Sequence, residues 1–181
     1  MKVTPTALRD MLLIEPQVLV DERGLFYESF NVRRFTELTG VTASFVQDNF
    51  SRSSHNVLRG MHYQVQESQG KLVQVMAGEV FDVAVDLRQS SPSFGRWVGT
   101  ALSAANHLQH WIPSGFAHGF LVTSASADVL YKTTAYYASE HERSICWDDA
   151  AIGIEWPLQG QPSLSAKDIR AGLLKNAELF L

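Results

Sequence analysis

The sequence predicts an all-β fold, a barrel or a sandwich, with a few short helices at its periphery. Two observations predict it. Short apolar runs recur along most of the chain between Gly, Pro, Asn and Ser punctuation, as expected for strands joined by turns. The segment EVFDVAVDLR, residues 79–88, alternates strictly, with Phe81, Val83, Val85 and Leu87 on one side and Asp82, Ala84 and Asp86 on the other. That is the period of a strand with one apolar face. At 181 residues and 45% apolar content, the chain suits one domain, residues 1–181, with a sizeable core.

Taken in order, MLLIEPQVLVD (11–21) and GLFYESF (24–30) are the first strand candidates. NVRRFTELTG (31–40) predicts a helix, with Asn31 as N-cap, Val32, Phe35 and Leu38 at helical spacing and Gly40 as the stop. Strands follow at FVQDNFS, VLRGMHYQ, KLVQVMAG, EVFDVAVDLR, RWVGTALSA, QHWIPSG, HGFLVTS and ADVLYKTTAYY. A second helix starts at Ser165 in SAKDIRAGLLK, where Ile169 and Leu173 stand four apart. No long linker, low-complexity tract or internal repeat interrupts the series.

The net charge of −4 argues against a nucleic-acid or membrane-surface binder, which needs a basic face. Any bound anion must be gripped locally. Cys146 is the only cysteine, so an intramolecular disulfide and a cysteine-rich metal site are both excluded. The apolar run MLLI before Glu15 and Pro16 is far short of a signal-peptide core or a membrane span. The expectation is a cytoplasmic protein.

Six histidines punctuate the β pattern. Pro113, Gly115 and His118 in IPSGFAHGF have the P-x-G-x-x-H spacing that resembles the second half of the cupin signature. Metal-binding cupins also carry H-x-H in the first half, where this chain has His62, Tyr63 and Gln64. Two histidines fall short of the three or so protein ligands that a catalytic metal needs, so no bound metal is expected. His62 then stands either as a hydrogen-bonded core residue or as a functional one. In VLRGMHYQ (57–64), strict alternation places Arg59 and His62 on opposite faces, unless Gly60 hosts a bulge that turns both inward.

Eight blocks in this order, DERGLFYESF (21–30), FVQDNFSRS (45–53), LRGMHYQ (58–64), GKLVQV (70–75), GEVFDVAVDLR (78–88), IPSGFAHGF (112–120), LYKTTAYYASEHER (130–143) and LSAKD (164–168), resemble the motifs of the dTDP-4-dehydrorhamnose 3,5-epimerases. The resemblance covers nearly the whole chain. It implies a double-stranded β-helix (jelly roll, cupin-like), no cofactor, and a homodimer. It also implies a dTDP-sugar substrate, dTDP-4-dehydro-6-deoxy-glucose, whose ketone acidifies the protons on both neighbouring ring carbons. Inverting either centre requires a base, an acid on the opposite face and a positive charge for the enolate.

His62 is the candidate base, since an imidazole is neutral and basic near cellular pH. Lys71 is the candidate cation, and by resemblance Tyr131 returns the proton. Asp168 follows Ser165 at nearly capping-box spacing, while the resemblance pairs it with His62. Asp82 is read either as a solvent-facing strand residue or as part of the site. Arg23 and Arg59 are candidates for the diphosphate, through paired guanidinium hydrogen bonds, or else surface ion pairs. By resemblance Glu28, Gln47, Asp48, Asn49, His118, Glu142 and Lys167 also contact substrate. Phe26 and Tyr137 are stacking candidates for the thymine, with core packing as the alternative. The block around Arg23 is expected to reach the neighbouring subunit's site, giving a shared one. Three other readings compete: a single-centre epimerase of another deoxysugar pathway, an inert sugar-nucleotide-binding cupin, and a metal-dependent oxygenase.

Overall fold

The computed structural model describes residues 1–181. Thirteen strands occur in chain order: β1 (Lys2–Pro5), β2 (Leu12–Glu15), β3 (Val18–Asp21), β4 (Gly24–Tyr27), β5 (Gln47–Ser54), β6 (Leu58–Gln64), β7 (Lys71–Ala77), β8 (Glu79–Asp86), β9 (Trp97–Ser103), β10 (Gln109–Ile112), β11 (Phe116–Val122), β12 (Ser126–Thr133) and β13 (Glu142–Ser144). One sheet runs β1-β2-β10-β7-β12-β5 and the facing one β13-β6-β11-β8-β9, while β3 and β4 form a separate ribbon. Within the body, β5 pairs with β12, β6 with β11, β7 with β10 and β8 with β9, all antiparallel. This nested pairing is a long hairpin wound over two sheets, the double-stranded β-helix that the family resemblance implies.

Three apolar clusters fix the layers. Val73, Val75, Ala84, Phe116, Phe120, Val129 and their neighbours fill the space between the sheets. Met61, Tyr63, Val83, Val85 and Leu87 form a second cluster on the outer face of the five-stranded sheet, with Ile152, Trp156, Leu174 and Phe180 of the C-terminal segment packed into it. This corrects the one-faced reading of β8. The apolar side of its alternation lies under the C-terminal segment, and Asp82 and Asp86, on the other side, have no exposed surface.

The first helix, α1 (Val32–Thr39), begins and ends as its sequence dictates. The Asn31 side chain accepts from the Arg34 amide, and Gly40, at φ +72°, donates to the Thr36 carbonyl. Only Phe35 of its apolar residues is buried, against Ile14, Leu72 and Trp111 on the outer face of the six-stranded sheet; Val32 and Leu38 are exposed. Full burial of one such side chain is worth about 1.5–3 kcal/mol, so Phe35 anchors the helix. The second helix, α2 (Ala166–Ile169), is a single turn, and Ile169 and Leu173 are exposed. No helix is long and apolar enough to cross a membrane.

Candidate active site

An open cleft of about 160 Å³ is lined from both sheets, by β5, β7 and β12 of one and β6 and β11 of the other. On β5 the two-residue period turns Gln47, Asn49 and Ser51 into it. Asp48 faces away and forms an ion pair with Lys132 at 3.0 Å. Strand β6 contributes both Arg59 and His62. Between the paired positions His62/His118 and Arg59/Phe120, β6 carries three residue steps against two on β11, a bulge centred on Gly60. Gly60 sits at φ +143°, where a side chain would meet Gly119 Cα at 2.6 Å. The glycine pair permits the close approach, and the bulge brings Arg59 and His62 to one side.

His62 Nε2 lies 2.5 Å from Asp168 Oδ1. Asp168 is 2% exposed, and its other oxygen accepts from Ser165 Oγ at 2.8 Å. Ser165 Oγ in turn accepts from the Asp168 amide. Asp168 thus sits in the capped first turn and also meets His62: the one-turn helix is the clamp that fixes the carboxylate. Burial opposes its ionisation, but the bonds to His62 and Ser165 outweigh burial and hold its pKa below the ordinary carboxylate value. A carboxylate there makes His62 Nε2–H the donor, and in the neutral imidazole this tautomer leaves Nδ1 as the acceptor.

Lys71 and Tyr131 share the cleft with His62. Lys71 is 8% exposed, and burial lowers its pKa to about 8. Its Nζ has one hydrogen-bond partner, the His62 carbonyl, at 3.5 Å. Burial also raises the Tyr131 hydroxyl, with Arg59 opposing the shift; the phenol stays protonated at neutral pH and is able to donate a proton.

At the rim, Tyr137 is 54% exposed and donates to Glu142 at 2.9 Å. Glu142 also takes a 2.6 Å bond from Lys167, which with bonded Tyr137 holds the carboxylate ionised against burial. Glutamines fix the segment carrying Tyr137. Gln47 and Gln64 accept from the amides of Tyr137 and Ala138, and Gln69 donates to the Ala135 carbonyl. Lys167 lies in an adjoining recess with Arg59, His62 and Asp168.

Arg23, Phe26 and Glu28 do not line the cleft of their own chain. Arg23 pairs with Asp21 at 2.6 Å, Phe26 is 69% exposed on the β3–β4 ribbon, and Glu28 accepts from Asn31 and Arg34. Sequence reasoning missed Ser51, Tyr63, Gln64, Gln69 and Phe120 in the lining. Ser51 was within reach of it, two residues beyond Asn49 on the same strand face. No three His, Cys, Asp or Glu side chains converge as a metal site. His62 and His118 are cross-strand partners, and each directs Nε2 at a carboxylate.

Fold and cleft together define a cupin-like isomerase, able to move protons on a bound carbon acid. The family model described as dTDP-4-dehydrorhamnose 3,5-epimerase matches residues 5–176, and the chain belongs to this family. It is 56% identical over 180 residues to the dTDP-4-dehydrorhamnose 3,5-epimerase of Pseudomonas aeruginosa, with 99% of each chain covered. It also matches the crystal structure of the Legionella pneumophila dTDP-6-deoxy-D-glucose-3,5-epimerase in complex with dTDP-4-keto-L-rhamnose, at TM-score 0.96 and 56% identity over 98% of this chain and 94% of that one. A 3'-monoepimerase from Streptomyces bikiniensis, crystallised with dTDP-quinovose, is more distant, at TM-score 0.89 and 31% identity over 94% and 87% of the two chains.

Proposed function

We propose that the protein epimerises dTDP-4-dehydro-6-deoxy-α-D-glucose at carbons 3 and 5, giving dTDP-4-dehydro-β-L-rhamnose. The observation that carries this reading is the His62–Asp168 pair opening into the same cleft as Lys71 and Tyr131. His62 Nδ1 removes the proton beside the ketone, and the imidazolium formed is stabilised by Asp168. The electron pair moves onto the ketone oxygen, where the Lys71 ammonium offsets the charge. Tyr131 then delivers its proton to the opposite face of the carbon, and the enolate collapses to the inverted ketone. The imidazolium and phenolate return to their starting states through solvent before the second centre reacts. Overall no electrons are gained or lost, so the chemistry calls for no redox partner.

Arg59 and Lys167 are assigned to the diphosphate, and Gln47, Asn49, His118 and Glu142 to the sugar nucleotide, with Tyr137 stacking on the base. Arg23, Phe26 and Glu28 are assigned to the site of the other subunit of a cytoplasmic homodimer. Their absence from their own cleft and the exposure of Leu19, Val20, Leu25 and Phe26 on the ribbon support that placement. The 56% identity to 3,5-epimerases, against 31% to the 3'-monoepimerase, favours inversion of both centres. Product analysis by NMR after incubation with the 4-keto sugar tests the proposal. A product inverted at both carbons is expected; one inverted at a single carbon, or unchanged substrate, would refute it.

A further inference from the structure

Behind His118 lies a polar array that the proton transfers above do not use. Asp82 is fully buried on β8, and its two oxygens are each 2.7 Å from an imidazole: Oδ1 from His110 Nδ1 and Oδ2 from His118 Nε2. His110 is also fully buried, on β10 in the opposite sheet, whereas His118 lines the cleft. The array thus crosses the sandwich and ends at the ligand site. Asp82 favours the charged form of Lys71, and the Lys71 charge in turn disfavours protonation of His118.

Two features separate this array from a plain tie between the sheets. His110 Nε2 is buried with no partner, and an incompletely satisfied polar network stabilises a core less well than an apolar one. His118 Nδ1 has no partner in the protein either, yet it is not among the enclosed polar atoms, so it opens to the cleft. The two histidines hold Asp82 ionised, at a pKa of about 2, against the burial that opposes it. An ionised Asp82 only accepts, so both ring nitrogens facing it carry hydrogen. Burial pushes the pKa of His118 below its ordinary value, which leaves Nδ1 bare at neutral pH.

We propose that Asp82 and His110 are positioning residues that lock His118 with Nε2–H on Asp82 and the Nδ1 lone pair facing the cleft, where it accepts a hydrogen bond from a hydroxyl of the bound sugar. This rests on the sugar-nucleotide reading for its ligand but not for its tautomer. His110 is the part that nothing in the proton transfers requires. It keeps Asp82 in place from behind, so that His118 presents an acceptor and selects a ligand with a donor at that point.

The test reads the ring nitrogens of His118 by ¹⁵N NMR in the free protein, together with dTDP-glucose binding, in the native chain, His110→Asn and His110→Leu. Asn places its amide N–H where the imidazole Nδ1–H stood, and Leu offers no donor. Native protein and His110→Asn are expected to show a protonated Nε2 and a bare Nδ1. In His110→Leu that fixed pattern is lost and dTDP-glucose binds about five- to tenfold more weakly, the worth of one neutral hydrogen bond, while dTDP alone binds unchanged. A native His118 with the hydrogen on Nδ1, or equal behaviour of the two variants, would overturn the proposal; should both variants fail to fold, the native spectrum alone decides. Native protein that does not bind dTDP-glucose, with the expected tautomer present, would count against the sugar-nucleotide reading instead.

Discussion

Lys71 occupies the first position of β7 with 8% of its surface exposed, and its one hydrogen bond is a 3.5 Å approach to the His62 carbonyl. Burial moves its pKa from 10.5 to about 8. Below pH 8 the residue is charged in both folded and unfolded chains, so the folded state carries the full penalty of burying the ammonium. At about 1.4 kcal/mol per pH unit this penalty is about 3 kcal/mol. Lys71→Met keeps the volume and removes the charge, and is expected to raise stability by up to that amount at pH 7, roughly 6–12 °C in Tm for a chain of this size. Catalysis is expected to collapse, because the enolate loses its cation. The pH dependence identifies the cause: the advantage should shrink as pH rises from about 8 towards 10.5, where Lys71 is neutral in the folded chain and half-protonated in the unfolded one, so that about 0.4 kcal/mol remains. Urea unfolding of the two proteins at equal concentration between pH 7 and 10.5, paired with turnover at pH 7, measures both effects. A destabilised variant, a gain undiminished at pH 10.5, or retained turnover would refute the reasoning.

The other predictions concern the division of labour in the cleft. His62→Ala should lose most turnover, by a factor of 10² or more as for other general bases, while its affinity for dTDP stays within about twofold; calorimetry and turnover together check this. Tyr131→Phe should impair product formation more than exchange of substrate hydrogen with solvent, and equal losses in deuterium wash-out and turnover would remove Tyr131 from the acid role. If the ribbon completes the neighbouring site, mixing an inactive His62→Ala chain with an inactive Arg23→Ala/Phe26→Ala chain should restore activity, because each mixed dimer holds one intact site. No recovery after verified subunit exchange would place the ribbon elsewhere.

Local pattern carried most of the strands into the structure, and it failed where a partner distant in sequence decides the outcome. Alternation in residues 79–88 located β8, but which face looks inward depends on the C-terminal segment that covers Val83 and Val85, so the choice between a solvent-facing and a site role for Asp82 stayed open. In α1 the caps were readable from Asn31 and Gly40, whereas the burial of Phe35 alone depends on Trp111 and Leu72. Alternation also governs Gln47, Asp48 and Asn49 on β5, so the three could not all face one site. The bulge at Gly60 was readable as a possibility because a glycine stood between two functional candidates. The His62–Asp168 pair joins residues 106 apart, and family motifs anticipated it where spacing favoured a helix cap. His110 had no such signal: its partner Asp82 lies across the sandwich, and its strand reads as ordinary core.

The central claim is that the cleft moves protons at two carbons flanking a ketone. Incubating the purified protein with dTDP-4-dehydro-6-deoxy-glucose in heavy water, followed by mass spectrometry of the product, counts those transfers directly. Two deuteriums, one on each carbon beside the ketone, are predicted. A single deuterium would contradict inversion of both centres, and none, with the sugar nucleotide demonstrably bound, would contradict proton transfer by His62 and Tyr131 altogether.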